Sequence, residues 1–354
     1  MLPPHKQQPV QYLGTDTEGV YTEQITRLLR DSETDNCALL LELIDGGGAN
    51  PRLLGYLFGI SVFHAAKEVS GRAMGLLQRY AAPETVKQAQ RLRETVAYHY
   101  DEAEYFSRYQ SAEIDLFDLL LAGKMCLWHR NRPGRGSNAV IAHRTLDLRR
   151  LGVGRLSPAI TTLDFLNVVA LPAHKDFDLP SAIPLLLQLP LEILILENIR
   201  IEQFPVDVFA LPRLNTVIIR KGTYRPRAPM QTPAGGPRGC ATLEKLIIEN
   251  YPLDGAENLG PFPNLREATL VRCSLTQLEF LRHSQKLERL NVRFNQLETL
   301  PAFLSTCTQL RTLELSNNPF RKIELDLEPL QLLEDLELKM QTRVPGNFRL
   351  SGGR

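Results

Sequence analysis

The chain has 354 residues, with 41 Lys or Arg against 40 Asp or Glu and a formal net charge of +1. That balance excludes the basic excess of a dedicated nucleic-acid binder, and no run of 18 or more apolar residues reads as a membrane span. Hydrophobic residues make up 43% of the chain, enough for a core in one large or two ordinary domains. Leucine stands out, with 61 residues against only 7% aromatics, so internal periodicity is the first property to test.

Residues 1–17 lack the apolar core of a signal peptide and read as an extended or disordered arm. From 18 to 130 the apolar period is helical. Glu18–Arg30 places Val20, Ile25, Leu28 and Leu29 on one face. Asp35 can cap a helix through Leu39, Leu40, Leu43 and Ile44 that stops at Gly46-Gly47-Gly48. Pro51 restarts one through Leu53, Leu54, Leu57 and Phe58. Lys67–Tyr80, a helix opening at Pro83 and a last run over Glu113–Trp128 complete the set. The segment Ala73-Met-Gly-Leu-Leu-Gln-Arg-Tyr80 resembles the second helix of a HEAT-type repeat, which implies an all-α domain of paired helices. Residues 131–139, rich in Pro, Gly and charge, are the linker.

From 140 to 341 the register changes. Leu287-Glu-Arg-Leu290-Asn-Val292-Arg-Phe-Asn295-Gln-Leu297-Glu-Thr-Leu300-Pro301 carries leucine-type residues and one asparagine at fixed offsets. Leu310-Arg-Thr-Leu313-Glu-Leu315-Ser-Asn-Asn318 repeats it, and Leu333-Glu-Asp-Leu336-Glu-Leu338 begins it again. This pattern resembles the leucine-rich repeat family, whose period of about 20–29 residues it matches. Earlier copies are weaker: Leu265, Ala268, Leu270 and Cys273; Leu243, Leu246, Ile248 and Tyr251; Leu214, Val217, Ile219 and Gly222; Leu191, Leu194 and Leu196. Two further units begin at Ile160 (Leu163, Phe165) and His143 (Leu146, Leu148). The resemblance implies an α/β solenoid: a curved parallel sheet of about nine repeats, with helical or 3₁₀ return arms outside. Segments near 173–187 and 223–239 read as insertions, and 342–354 as a C-terminal tail.

No catalytic constellation emerges: there is no G-x-S-x-G, P-loop or H-x-x-x-H. The five cysteines form no C-x-x-C, so free thiols in a cytoplasmic protein are expected. His174, Asp176 and Asp178 lie close in sequence, but three polar residues in a solvated loop seldom hold a metal. No metal, cofactor or small-molecule substrate is expected.

The candidate site is the sheet face that the resemblance makes concave. Between the two strand leucines stand Asp147, Asp164, Ile195, Ile218, Ile247, Thr269, Asn291, Glu314 and Glu337. The isoleucines would form an apolar stripe, ringed by Arg220, Lys221, Arg272 and Arg293, with Phe294 as an exposed aromatic anchor. The competing reading is that Ile is simply a good strand former. The functional expectation is a non-enzymatic scaffold that binds a protein partner on this face. The alternative is a self-assembling protein that dimerises through the repeat face or its open C-terminal edge; neither nucleic acid nor membrane is expected.

Overall fold

The computed structural model describes residues 37–64, 66–96, 114–120, 141–142, 144–174, 176–201, 204–221, 230–231, 239–321, 323–338 and 348–351. The chain divides into two compact units, residues 1–142 with 157–163, and residues 143–156 with 164–354. The predicted helix over Glu18–Arg30, the cap at Asp35, the linker and most of the loop 223–239 lie outside the described residues.

In the first unit, α1 spans Cys37–Gly47, α2 Pro51–Phe63, α3 Lys67–Tyr80 and α4 Pro83–Val96. Gly48 ends α1 in the left-handed region at φ 85°, and its amide donates to the Ile44 carbonyl at 2.9 Å. The glycine run is therefore a helix stop. Asn50 then caps α2: its side chain accepts from the Leu53 amide at 3.0 Å, and Pro51 takes the first helical position. Every residue of α2 from Leu53 to Phe63 is buried, so it is the central helix, apolar on all sides. Helices α1, α3 and α4 pack on it. Arg52 reaches the buried carboxylate of Asp118 at 3.2 Å.

The second unit is built on a parallel sheet. Its strands are β1 (Thr145–Asp147), β2 (Val168–Ala170), β3 (Ile193–Glu197), β4 (Thr216–Arg220), β5 (Lys245–Glu249), β6 (Glu267–Val271), β7 (Arg289–Asn291), β8 (Thr312–Glu314) and β9 (Asp335–Glu337), adjacent in that order. One column across the sheet runs Leu146, Val169, Leu194, Val217, Leu246, Ala268, Leu290, Leu313 and Leu336. All but Leu336 are buried, as are Leu148, Leu171, Leu196, Ile219, Ile248, Leu270, Val292 and Leu315, two residues further on. Period-2 alternation turns both columns to the core. Fully burying one such aliphatic chain contributes roughly 1.5–3 kcal/mol.

One repeat differs from the sequence expectation. The second strand is Val168–Ala170, not the segment around Leu163 and Phe165, and residues 158–162 form a 3₁₀ turn. Leu166-Asn-Val-Val169-Ala-Leu171 fits the same spacing with a β-branched residue at the strand centre. Ala170, not Asp164, therefore pairs with Asp147 and Ile195. The segment 173–187 is also more than an insertion. It contains α5 (Leu179–Leu186), capped by Asp178, whose carboxylate accepts from the Ser181 amide at 3.2 Å. In the C-terminal part, Ile323–Asp326 pairs in parallel with Phe348–Ser351, so part of the predicted tail is a strand.

The turns after the strands are fixed by a ladder of buried side chains. Asn295 Oδ1 accepts from the amides of Cys273 and Leu275, at 3.0 and 3.1 Å. Its Nδ2 donates to the Leu270 and Val292 carbonyls, at 2.6 and 2.9 Å. Asn318 repeats the scheme: Oδ1 accepts from Leu297 at 3.2 Å, and Nδ2 donates to Val292 and Leu315 at 2.9 and 2.8 Å. Cys273 occupies the same place one repeat earlier, and its thiol donates to Ile248 at 3.2 Å. Tyr251 is buried in the next copy back, and its hydroxyl donates to the Ile199 carbonyl.

Candidate functional site

The open face of the sheet is assembled from strand positions whose side chains point away from the buried columns. The row that begins each strand includes Thr216, Lys245, Glu267, Arg289 and Thr312 in lateral register. The middle row runs Asp147, Ala170, Ile195, Ile218, Ile247, Thr269, Asn291, Glu314 and Glu337. A third row includes Glu197, Arg220, Glu249 and Val271, and Arg149 and Arg293 hold the same offset in their own repeats.

The middle row is only partly apolar surface. Ile195 and Ile218 are half-buried, but Ile247 is 4% exposed. The three-isoleucine stripe thus shortens to two accessible members, with Ile247 belonging to the packed structure.

Many of the charges on this face pair with one another. Lys245 reaches Glu267 at 2.9 Å, and Arg289 reaches the other oxygen of the same carboxylate at 3.1 Å. Burial pushes the Glu267 carboxyl up, but the hydrogen bonds from Lys245 and Arg289 outweigh it, and the group sits below the usual carboxylate range. Arg149 binds Asp147 at 2.7 Å and Glu197 at 2.9 Å. Asp147 is also held below the ordinary range: burial raises it, and the bonds from Arg149 more than offset that. Arg220 meets Glu249, and Arg293 meets Glu314, each at 3.0 Å, although neither Nε has hydrogen-bond geometry to its carboxylate. Lys221 lies over the Tyr251 ring, 5.8 Å from its centroid.

Beside the third row runs a column held in the left-handed region. Asn198, Asn250, Arg272, Phe294 and Asn317 have φ between 54° and 62°. Asparagine tolerates this conformation because its short amide bonds locally. Arg272 and Phe294 lack that device, and their backbone conformation costs about 1–2 kcal/mol each. The two side chains stack, with the guanidinium carbon 4.1 Å from the ring centroid. Phe294 is 37% exposed, the one large hydrophobic residue of this face in that class among the described residues.

The expected residues are thus brought onto one face, but in different states. Ile195, Ile218, Arg272 and Phe294 present accessible surface. Arg220 and Arg293 are engaged with carboxylates, and Ile247 is buried. Sequence reasoning missed the Lys245–Glu267–Arg289 chain and the Arg149 cluster. The first had a legible signal: alternating charges 22 residues apart occupy the same offset in successive repeats. Cys273 and Cys307 are not chemical candidates, since burial pushes the Cys273 thiol far up and the Cys307 thiol to about 11. His174 Nδ1 accepts from the Asp176 amide at 3.3 Å while Asp178 caps α5, so the three polar residues serve the local turn.

The family described as Leucine Rich repeats (2 copies) matches residues 285–331. No curated protein matches the chain. Similar solved structures include an LRR protein of Leptospira interrogans, at 21% identity over 58% of this chain and 55% of that one, with a TM-score of 0.40. Internalin C2 of Listeria monocytogenes is 18% identical over 56% of this chain and 80% of its own, with a TM-score of 0.42. InlP of Listeria monocytogenes is 17% identical over 61% and 59%, with a TM-score of 0.36. The chain thus spans little more than half the length of the first and third of these.

Proposed function

We propose that this leucine-rich repeat protein is a non-enzymatic scaffold that binds a protein partner on the open face of its sheet. Leucine-rich repeat proteins are typically protein-interaction scaffolds. The observation that carries the reading here is the half-exposed pair Ile195 and Ile218, set in a face where Arg149, Arg220, Lys245, Arg289 and Arg293 already meet carboxylates. A neutralised, partly apolar and rigid surface suits a protein partner, because little conformational entropy is lost when it binds. It suits nucleic acid poorly, since arginines engaged with carboxylates are not free for phosphates. Among the described residues, the thiols of Cys240, Cys273 and Cys307 are buried and in no disulfide, which supports a reducing, cytoplasmic setting.

The test is affinity capture with cross-linking mass spectrometry, comparing wild type with the Ile195→Asp/Ile218→Asp variant. Cross-links on β3–β6 in wild type, and loss of the partner in a variant with an unchanged melting temperature, are expected. A partner retained by the variant would refute the reading. Light scattering distinguishes the alternative: a wild-type dimer that the same variant dissociates would assign the face to self-assembly.

A further inference from the structure

The Arg272–Phe294 pair combines three observations. First, both residues occupy a left-handed column whose other members are Asn198, Asn250 and Asn317. Bulky side chains there oppose the backbone preference, a pattern that concentrates at functional positions. Second, Arg149, Arg220, Arg289 and Arg293 each reach a carboxylate within 3.1 Å. Among the described residues, Arg272 makes no such pair. Third, the guanidinium is stacked on the Phe294 ring at 4.1 Å. The ring contact holds the guanidinium in place and leaves its N–H fork, which matches a carboxylate, uncommitted to any acidic group among the described residues.

We infer that Arg272 and Phe294 form a receptor for an acidic segment of a protein partner, one carboxylate pairing with the guanidinium and an adjacent apolar side chain packing on the exposed part of the ring. The inference rests on the open face being the partner-binding surface, and it names the chemistry recognised there. Charge complementarity selects the occupant: a cation without a carboxylate beside an exposed aromatic, on a face where the neighbouring Arg220 and Arg293 are already paired. Ile218 lies two strands and three residues along from Arg272. Those offsets are about 10 Å each, so an extended segment of four or five residues reaches from the receptor to the isoleucine pair.

The experiment uses the full chain, immobilised, against a displayed random dodecapeptide library. Enrichment of Asp or Glu next to Leu, Ile, Phe or Tyr is expected. A fluorescent synthetic peptide of the enriched sequence is then titrated against wild type, Arg272→Asn, Phe294→Asn and Ile195→Asp/Ile218→Asp. Each Asn variant should weaken binding at least tenfold while the melting temperature stays the same or rises, since Asn suits the left-handed backbone. Replacing the peptide's acidic residue by its amide should weaken wild-type binding equally, with no further loss on Arg272→Asn. Absence of acidic enrichment, or binding to Arg272→Asn within twofold of wild type, overturns the inference. If the isoleucine variant alone loses the peptide, this receptor fails while the face reading stands. If none of the variants affects binding, both fail. A single-stranded oligonucleotide that binds wild type and is lost on Arg272→Asn also overturns it.

Discussion

Replacing Asn295 by Ala should be among the most damaging changes in the repeat region. Its side chain accepts from two buried amides, Cys273 and Leu275, and donates to the Leu270 and Val292 carbonyls. Alanine leaves two buried N–H groups without acceptors, at roughly 1–3 kcal/mol each, and removes the donor to two carbonyls. The two amides alone sum to about 2–6 kcal/mol. A second substitution sharpens the argument. Cys273 stands one repeat earlier and donates to Ile248, the counterpart of the Asn295 donation to Leu270. Asn295→Cys should recover that single bond but neither amide, for a loss about 1 kcal/mol smaller than that of alanine. Urea titration followed by far-ultraviolet circular dichroism measures both, the midpoint falling while the slope holds. A loss below about 1 kcal/mol for Asn295→Ala would refute the reasoning, because leucine packing alone would then be holding the turn.

Three further outcomes follow from the same geometry. Ile247→Asp should cost at least about 3 kcal/mol, since it places a carboxylate at a 4% exposed position, whereas Ile218→Asp should cost under about 1 kcal/mol; equal midpoint shifts in urea would contradict the burial difference. In the helical unit, burial pushes the Asp118 carboxyl up to about 7, with Asp115 adding to it and Arg52 opposing it. The folded state then binds the proton more tightly than the unfolded state, so stability falls as pH rises from about 4 to about 7 and levels off above. The total is at most roughly 4 kcal/mol; Asp118→Asn should flatten this dependence, and a wild-type midpoint that rises with pH over that window would exclude the assignment. Gly239→Ala should lower the melting temperature sharply, because an added Cβ would collide with the Pro261 carbonyl oxygen; differential scanning calorimetry showing a shift within about 2 °C would mean the loop moves at little cost.

What the sequence disclosed depended on how strongly physics repeats at a position. The buried columns were legible because each repeat must supply a leucine-type residue to the same core, so Leu290, Leu313 and Leu336 announce the register. Val169 escaped because a β-branched residue took the leucine's place, while Ile160, Leu163 and Phe165 offered a competing register, and the strand was expected six residues early. The helix starts at Pro51, Lys67 and Pro83 were legible from local chemistry. So was the stop at Gly46–Gly48, where the left-handed Gly48 ends the helix.

The face was legible as a list of positions but not as a surface. Spacing places Ile218 and Ile247 in equivalent sites, yet one is half-exposed and the other 4% exposed. That difference depends on what long neighbouring side chains cover, which no one-dimensional offset contains. The same holds for charge. Arg220, Arg272 and Arg293 look alike in sequence, and only their neighbours separate two that meet carboxylates at 3.0 Å from one that lies on an aromatic ring. The functional signal therefore comes from a conflict between levels. At Arg272 and Phe294 local backbone preference asks for asparagine, while the neutralised face elsewhere asks for a carboxylate partner. A sequence that violates both expectations at one spot is most economically explained by a ligand that supplies the missing group.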